Sequence, residues 1–347
     1  RVFEGGVVNS VFYDKYDFFT GQILETTNVS SNGQSFKTKI VPAYIKYPEM
    51  GSKVDNLDNK NMLSQTAANY SYILDKASND WKETGVGITT WSNIWSYKDI
   101  TGATVSILGT APAKDKIWRK HKTYVWNGVK DANGIFINYD KINGSKDDNF
   151  NWAIGVGQPS QWKQTSEVTL YNHYSTPLEM KDVNGNLAST KMGDKDTKIM
   201  VTGNAGYNEM FYSGAENTTD VLGVNWLDPD IRIANATRTN RYAHTGKISV
   251  EATSSSEFGL VMKNNEHRTG KYKVSVWVHK SSAPSAALYV NINNVIPFTE
   301  SYTAGNWVLK SAIVNFNKDV SYFINVKSAN STAVYLDDLM IRPVSST

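Results

Sequence analysis

With 347 residues, 40% hydrophobic side chains and a net charge of +3, the chain can bury a real core, and its length suits about two domains. The charge is dispersed. Its densest basic run is Trp-Arg-Lys-His-Lys at 118–122, which argues against a nucleic-acid-binding face. Cysteine is absent, which excludes disulfides and thiolate metal sites, and no apolar run approaches the ~20 residues of a membrane-spanning helix.

The chain opens on Arg1 without a leader-like segment, as a piece of a longer parent protein would. Tyr, Trp, Phe, Val, Ile and Thr are plentiful, and such side chains favour strands. Residues 11–17 and 22–27 read as strands flanking Thr20-Gly21. The turn Ser31-Asn32-Gly33 and the alternating run 34–38 follow. This pattern predicts antiparallel pairing, with a type I′ turn at Asn32-Gly33. Pro48–Gly51 is a turn, and 61–68 suits a short helix or a loop. The theme returns at 124–128 and 131–136, then at 168–174, 177–182 and 186–191 with Asn184-Gly185 as the turn. One hairpin cannot bury its own face, so such copies are expected to stack into a continuous sheet.

Near Gly203–Tyr207 the texture changes, which places a domain boundary at about 207 and divides the chain into 1–207 and 208–347. Strand-like runs then recur at 243–251, 270–278, 287–292, 306–314, 322–326 and 334–341, separated by polar loops. That spacing predicts a two-sheet sandwich.

Little here carries catalytic chemistry. The five histidines show no ligand-like pairing, and Gly-x-Ser-x-Gly and phosphate-loop motifs are absent. The doublets Asp147-Asp148 and Asp337-Asp338 place neighbours on opposite strand faces, so neither serves as the facing pair of a glycosidase. Aromatic rings can stack on sugars. Alternation puts Trp277, Tyr289 and Asn291 off the core face, where they would form a ligand platform; the competing reading packs these rings under loops.

Several of these segments resemble known families. Trp162–Tyr171 running through Asp182-Val183-Asn184-Gly185-Asn186 to Lys191-Met192, with Tyr13–Thr38, Pro42-Ala43-Tyr44 and Tyr124–Gly128, resembles the RHS/YD-repeat surface proteins of Bacteroidetes. Tyr16-Asp17 keeps the Tyr-Asp pair, whereas Ser175 follows Tyr174. The region 208–343 resembles the galactose-binding-like jelly roll of carbohydrate-binding modules, through Phe211…Glu216, His244-Thr245-Gly246-Lys247 and Tyr335–Leu339. The resemblance implies a structural calcium at Glu216 and Asp337 or Asp338, of which Asp337 is favoured. A hard cation asks for several oxygens at about 2.3–2.6 Å.

The expectation is an all-β chain: an RHS-like stacked hairpin sheet followed by a jelly-roll sandwich. The implied role is a non-enzymatic structural or interaction segment of a secreted cell-surface protein. Its partner would be carbohydrate or protein, with no nucleic acid and no membrane span. A dedicated glycan-binding adhesin and a carbohydrate-active enzyme fragment are the alternatives.

Overall fold

The structure, a computed structural model, describes residues 2–4, 7–99, 104–107, 110–112, 115–138, 150–194, 196–216, 219–221, 224–227, 231–292 and 294–345. Among the described residues strand predominates and helix is confined to a few short turns, as the branched and aromatic composition expects. The doublet Asp147-Asp148 lies outside the described residues. The chain divides into two compact units. The first comprises 1–96, 106–168 and 182–184; the second comprises 97–105, 169–181 and 185–347.

In the first unit the strands Val7–Tyr16, Ile23–Val29, Ser35–Pro42, Thr66–Asp75, Asp80–Ser92 and Arg119–Asn127 pair antiparallel in chain order. Its principal core joins Tyr70, Val86, Ile88, Tyr124 and Trp126 to Phe150 and Trp162. Residues 61–65 form a connection, with strand beginning at Thr66.

The hairpin at 23–42 forms as its alternation predicts, but its turn differs. Gly33 takes φ +75 while Asn32 stays out of the left-handed region, and a type I′ turn needs positive φ at both. Here Ser30 and Gln34 close the loop, and the Asn32 side chain accepts the Gln34 N–H. The same holds at Asn184-Gly185, where Gly185 alone has positive φ.

The surviving Tyr-Asp pair is a structural staple. Buried Asp17 accepts Thr20 N–H and Thr20 Oγ1–H, at 2.9 and 2.6 Å, and the Tyr44 hydroxyl. Burial alone would raise its carboxyl. These donors outweigh burial and hold it below the usual carboxylate range.

The second unit is built around a sandwich. Its strands are β1 Phe211–Ser213, β2 Ile231–Thr239, β3 Ser249–Met262, β4 Gly270–His279, β5 Ala286–Val290, β6 Val295–Ile296, β7 Glu300–Ala304, β8 Trp307–Phe316, β9 Tyr322–Ser328 and β10 Val334–Pro343. One layer runs β3–β10–β4–β8–β7, with β1 on β10. The other runs β2–β3–β9–β5–β6. The long strand β3 serves both: Val250–Ala252 pair with β10, and Gly259–Met262 pair with β9. Between the layers lies an apolar core that includes Phe258, Leu260, Val274, Val276, Leu288, Ile324, Val326, Leu336 and Ile341.

The second unit also holds residues 169–181 and 185–207, which the change of sequence texture assigns to the first region. Polar ties explain this. Glu179 accepts the Tyr207 N–H, and the Lys191 ammonium sits over the Tyr207 and Phe211 rings, 3.6 and 4.8 Å from their centres. Glu209, buried, accepts from Gly206 N–H and from the Arg268 backbone and guanidinium. Among the described residues, no helix is long and apolar enough to cross a membrane.

Candidate ligand-binding face

The core fixes which side chains of each layer turn outward. On β4, Val276 and Val278 are buried in the core, so Trp277 and His279 point away from it. On β5, Leu288 and Val290 point in and Tyr289 points out. Trp277 and Tyr289 therefore stand on the outer faces of different layers, with the core between them. The platform expected from Trp277, Tyr289 and Asn291 together does not exist. Alternation within each strand was right, but it cannot say which strands share a sheet.

Exposed Tyr302 stands edge-on to Trp277 with centroids 6.5 Å apart, and the Trp277 ring itself is covered by its own chain. The loop 240–248 lies over it. The His244 ring stacks on Trp277 with centroids 3.9 Å apart and planes at 17°, and Tyr242 stacks on His279 at 3.9 Å and 19°. Trp307 meets both histidines edge-on, and Tyr335 meets Tyr242. A sugar would have to displace this stack.

Three acids hold that loop down. Asp337 Oδ2 accepts the His244 and Thr245 N–H groups, at 2.7 and 3.2 Å, and its Oδ1 accepts the Asp338 N–H. Asp338 accepts from the Tyr212 and Thr245 hydroxyls and faces His244 Nδ1 at 2.6 Å. Glu216 Oε1 accepts the Lys247 and Ile248 N–H groups. Gly246, at φ +62, makes this possible, because a Cβ there would collide with the Glu216 carboxylate. The adjacent aspartates, expected on opposite faces, both engage this loop. A register shift in the β4–β10 pairing and φ +47 at Asp338 break the alternation.

Glu216 and Asp337 thus grip opposite ends of one loop. Their oxygens are directed at N–H donors, which does not fit the oxygen cage a calcium ion needs. Among the described residues, no group of three or more His, Cys, Asp or Glu is placed to hold a metal. Burial, and then the neighbouring Asp338 carboxylate, push the Asp337 carboxyl up to about 7.

The other outer face is open. Tyr289 and Phe323 are half-buried on neighbouring strands, diagonal to one another across the pair Tyr289↔Asn325. Exposed Val261 and Val295 flank them, paired with Phe323 and Tyr289 respectively. Between them Asn325 is buried. Its Oδ1 accepts the Phe258 N–H at 2.7 Å and its Nδ2 donates to the Ser256 carbonyl at 3.1 Å. Asn291 lies just past β5 at φ +61. It donates its N–H to the Phe323 carbonyl and accepts the Phe323 N–H on Oδ1, fixing the strand that carries the Phe323 ring. Polar groups complete the face: Lys327, and the pair Arg232–Glu257 at 2.8 Å.

Of the expected ligand residues, this face therefore takes Tyr289, with Asn291 in a supporting role. Sequence reading missed Phe323 and Lys327. The buried residues Ile324 and Val326 alternate with them, and that signal was present in the strand.

No family model matches the chain, and no curated protein matches it. Solved structures that it resembles include a family 35 carbohydrate-binding module from Clostridium thermocellum, at 15% identity, covering 38% of this chain and 96% of the module, TM-score 0.27. Another is the C-terminal family 22 module of Clostridium thermocellum Xyn10B, at 10% identity, 40% and 96% coverage, TM-score 0.28. A third is the exo-β-1,3-galactanase Pc1,3Gal43A of Phanerochaete chrysosporium, at 11% identity, 89% and 78% coverage, TM-score 0.26.

Proposed function

We propose that the sandwich of the second unit is a non-catalytic carbohydrate-binding module, within a secreted, RHS-like surface protein, and that it takes glycan on the outer face of the layer β2–β3–β9–β5–β6. One observation carries the reading. Tyr289 and Phe323 offer two half-buried rings on an open sheet face, whereas His279 and Trp277 of the opposite layer are already stacked upon by Tyr242 and His244. Sugar rings present C–H faces that pack on such rings, while the polar rim supplies hydrogen bonds.

The non-catalytic part rests on the carboxylates. The Asp337-Asp338 doublet is committed to loop donors. The antiparallel hairpins of the first unit are the feature that bears on the RHS-like role. A glycan microarray probed with the full chain and with Tyr289→Ala tests the reading. Signal on a defined glycan class that Tyr289→Ala abolishes supports it, and a blank array overturns it.

A further inference from the structure

On the same open face, the Lys327 ammonium lies 4.8 Å from the centre of the Tyr289 ring. Ala287 and Lys327 are cross-strand partners, as are Tyr289 and Asn325, so Lys327 and Tyr289 are diagonal neighbours on one face. The other cation of the face, Arg232, is matched by Glu257 at 2.8 Å. Among the described residues, no carboxylate stands within ion-pair distance of Lys327. The face thus combines a ring, a cation resting on it and, among the described residues, a single carboxylate, Glu257, that is engaged by Arg232.

We propose that the ligand of this face is an acidic, uronate-bearing polysaccharide, whose carboxylate draws Lys327 off the Tyr289 ring while the sugar takes its place. The proposal rests on the glycan-binding reading above and specifies its substrate class. A neutral sugar stacking on Tyr289 must push the ammonium aside, losing a cation–ring contact that corresponds to about two- to fivefold in affinity. A uronate compensates that loss with a charge-assisted hydrogen bond to the same ammonium. A neutral platform has no reason to keep an uncompensated cation on its ring, where it competes with the sugar.

The test is isothermal titration of the full chain with oligogalacturonate and with a neutral β-1,4-linked oligosaccharide of equal length, at low salt. Wild type should bind the uronate about tenfold more tightly than the neutral chain, with the preference shrinking in high salt. Lys327→Gln should lose that preference, binding the uronate no more tightly than the neutral oligosaccharide. Tyr289→Ala should weaken both. Equal wild-type affinity for the two ligands, or a preference that survives Lys327→Gln, overturns the acidic-ligand proposal and leaves the glycan reading standing. Equally tight binding of dextran sulfate would show bare charge attraction and overturn it too. If wild type binds neither oligosaccharide and no polysaccharide at all, both fall together.

Discussion

Replacing Glu209 with Gln should destabilise the second unit more than any other single polar change named here. Glu209 is 2% exposed. Its two oxygens accept the Gly206 N–H at 2.8 Å, the Arg268 N–H at 2.9 Å and two guanidinium N–H groups at 2.7 Å, and Tyr272 Oη lies at 3.3 Å. Gln keeps one acceptor and turns an NH₂ toward donors. Losing one partner of a buried ion pair costs about 3–5 kcal/mol. The Arg268 side chain is 54% exposed and can be rehydrated, which lowers the expected cost to about 2–4 kcal/mol.

For a unit of this size that is a melting shift on the order of 5–15 °C at pH 7, read by differential scanning calorimetry. The pH dependence has a fixed sign. Burial raises the Glu209 carboxyl, but its donors, led by the Arg268 side chain, outweigh burial and hold it below its ordinary value. Its contribution is therefore present above the unfolded carboxylate range and is lost as pH falls through the folded value. The gap between wild type and Glu209→Gln should narrow at pH 3. A Glu209→Gln melt within 1–2 °C of wild type at pH 7, about the size of a sub-kcal/mol change, would refute this account of the Glu209 contacts.

Other consequences are equally direct. Trp277→Ala should leave glycan affinity within about twofold while destabilising the sandwich, because its ring is stacked beneath His244 rather than offered to ligand; a tenfold loss of binding in a variant that stays folded contradicts the covering of that ring. Gly246→Ala should cost at least about 1–2 kcal/mol in urea unfolding, from left-handed strain and the collision with Glu216, and an unchanged midpoint argues against the clamped loop. The Asp337 carboxyl should titrate near 7 by carbon NMR, where a midpoint near 4 would contradict its burial beside Asp338. Because that value is raised, its share of stability is present at low pH and is lost as pH rises from about 4 to about 7.

Much of this architecture could be read from period-2 alternation. The runs at 270–278 and 322–326 are strands, and Leu288 and Val290 point inward as their spacing implies. Side-chain direction within a strand is local, so alternation finds it. Strand order is not local, and Trp277 and Tyr289 were merged into one patch because nothing in the sequence says that β4 pairs with β8 and β10 while β5 pairs with β9. The aspartate doublet was misjudged for a related reason. A positive φ at Asp338 and a one-residue register shift are invisible to a period-2 argument. The turns at Asn32-Gly33 and Asn184-Gly185 were located but mistyped, since the dipeptide marks a reversal without dictating how many residues turn left-handed. The covering of Trp277 could have been anticipated only by asking what His244, on a polar loop, would stack upon.

The central claim is that glycan binds the Tyr289–Phe323 face and not the Trp277 face. Affinity gel electrophoresis tests it most directly, comparing wild type, Tyr289→Ala, Phe323→Ala and Trp277→Ala side by side in gels cast with soluble polysaccharides. The account predicts that at least one polysaccharide retards wild type and Trp277→Ala alike and fails to retard the Tyr289 and Phe323 variants. Retardation lost in Trp277→Ala but kept in Tyr289→Ala, with all four proteins folded, would place the site on the opposite face and contradict it.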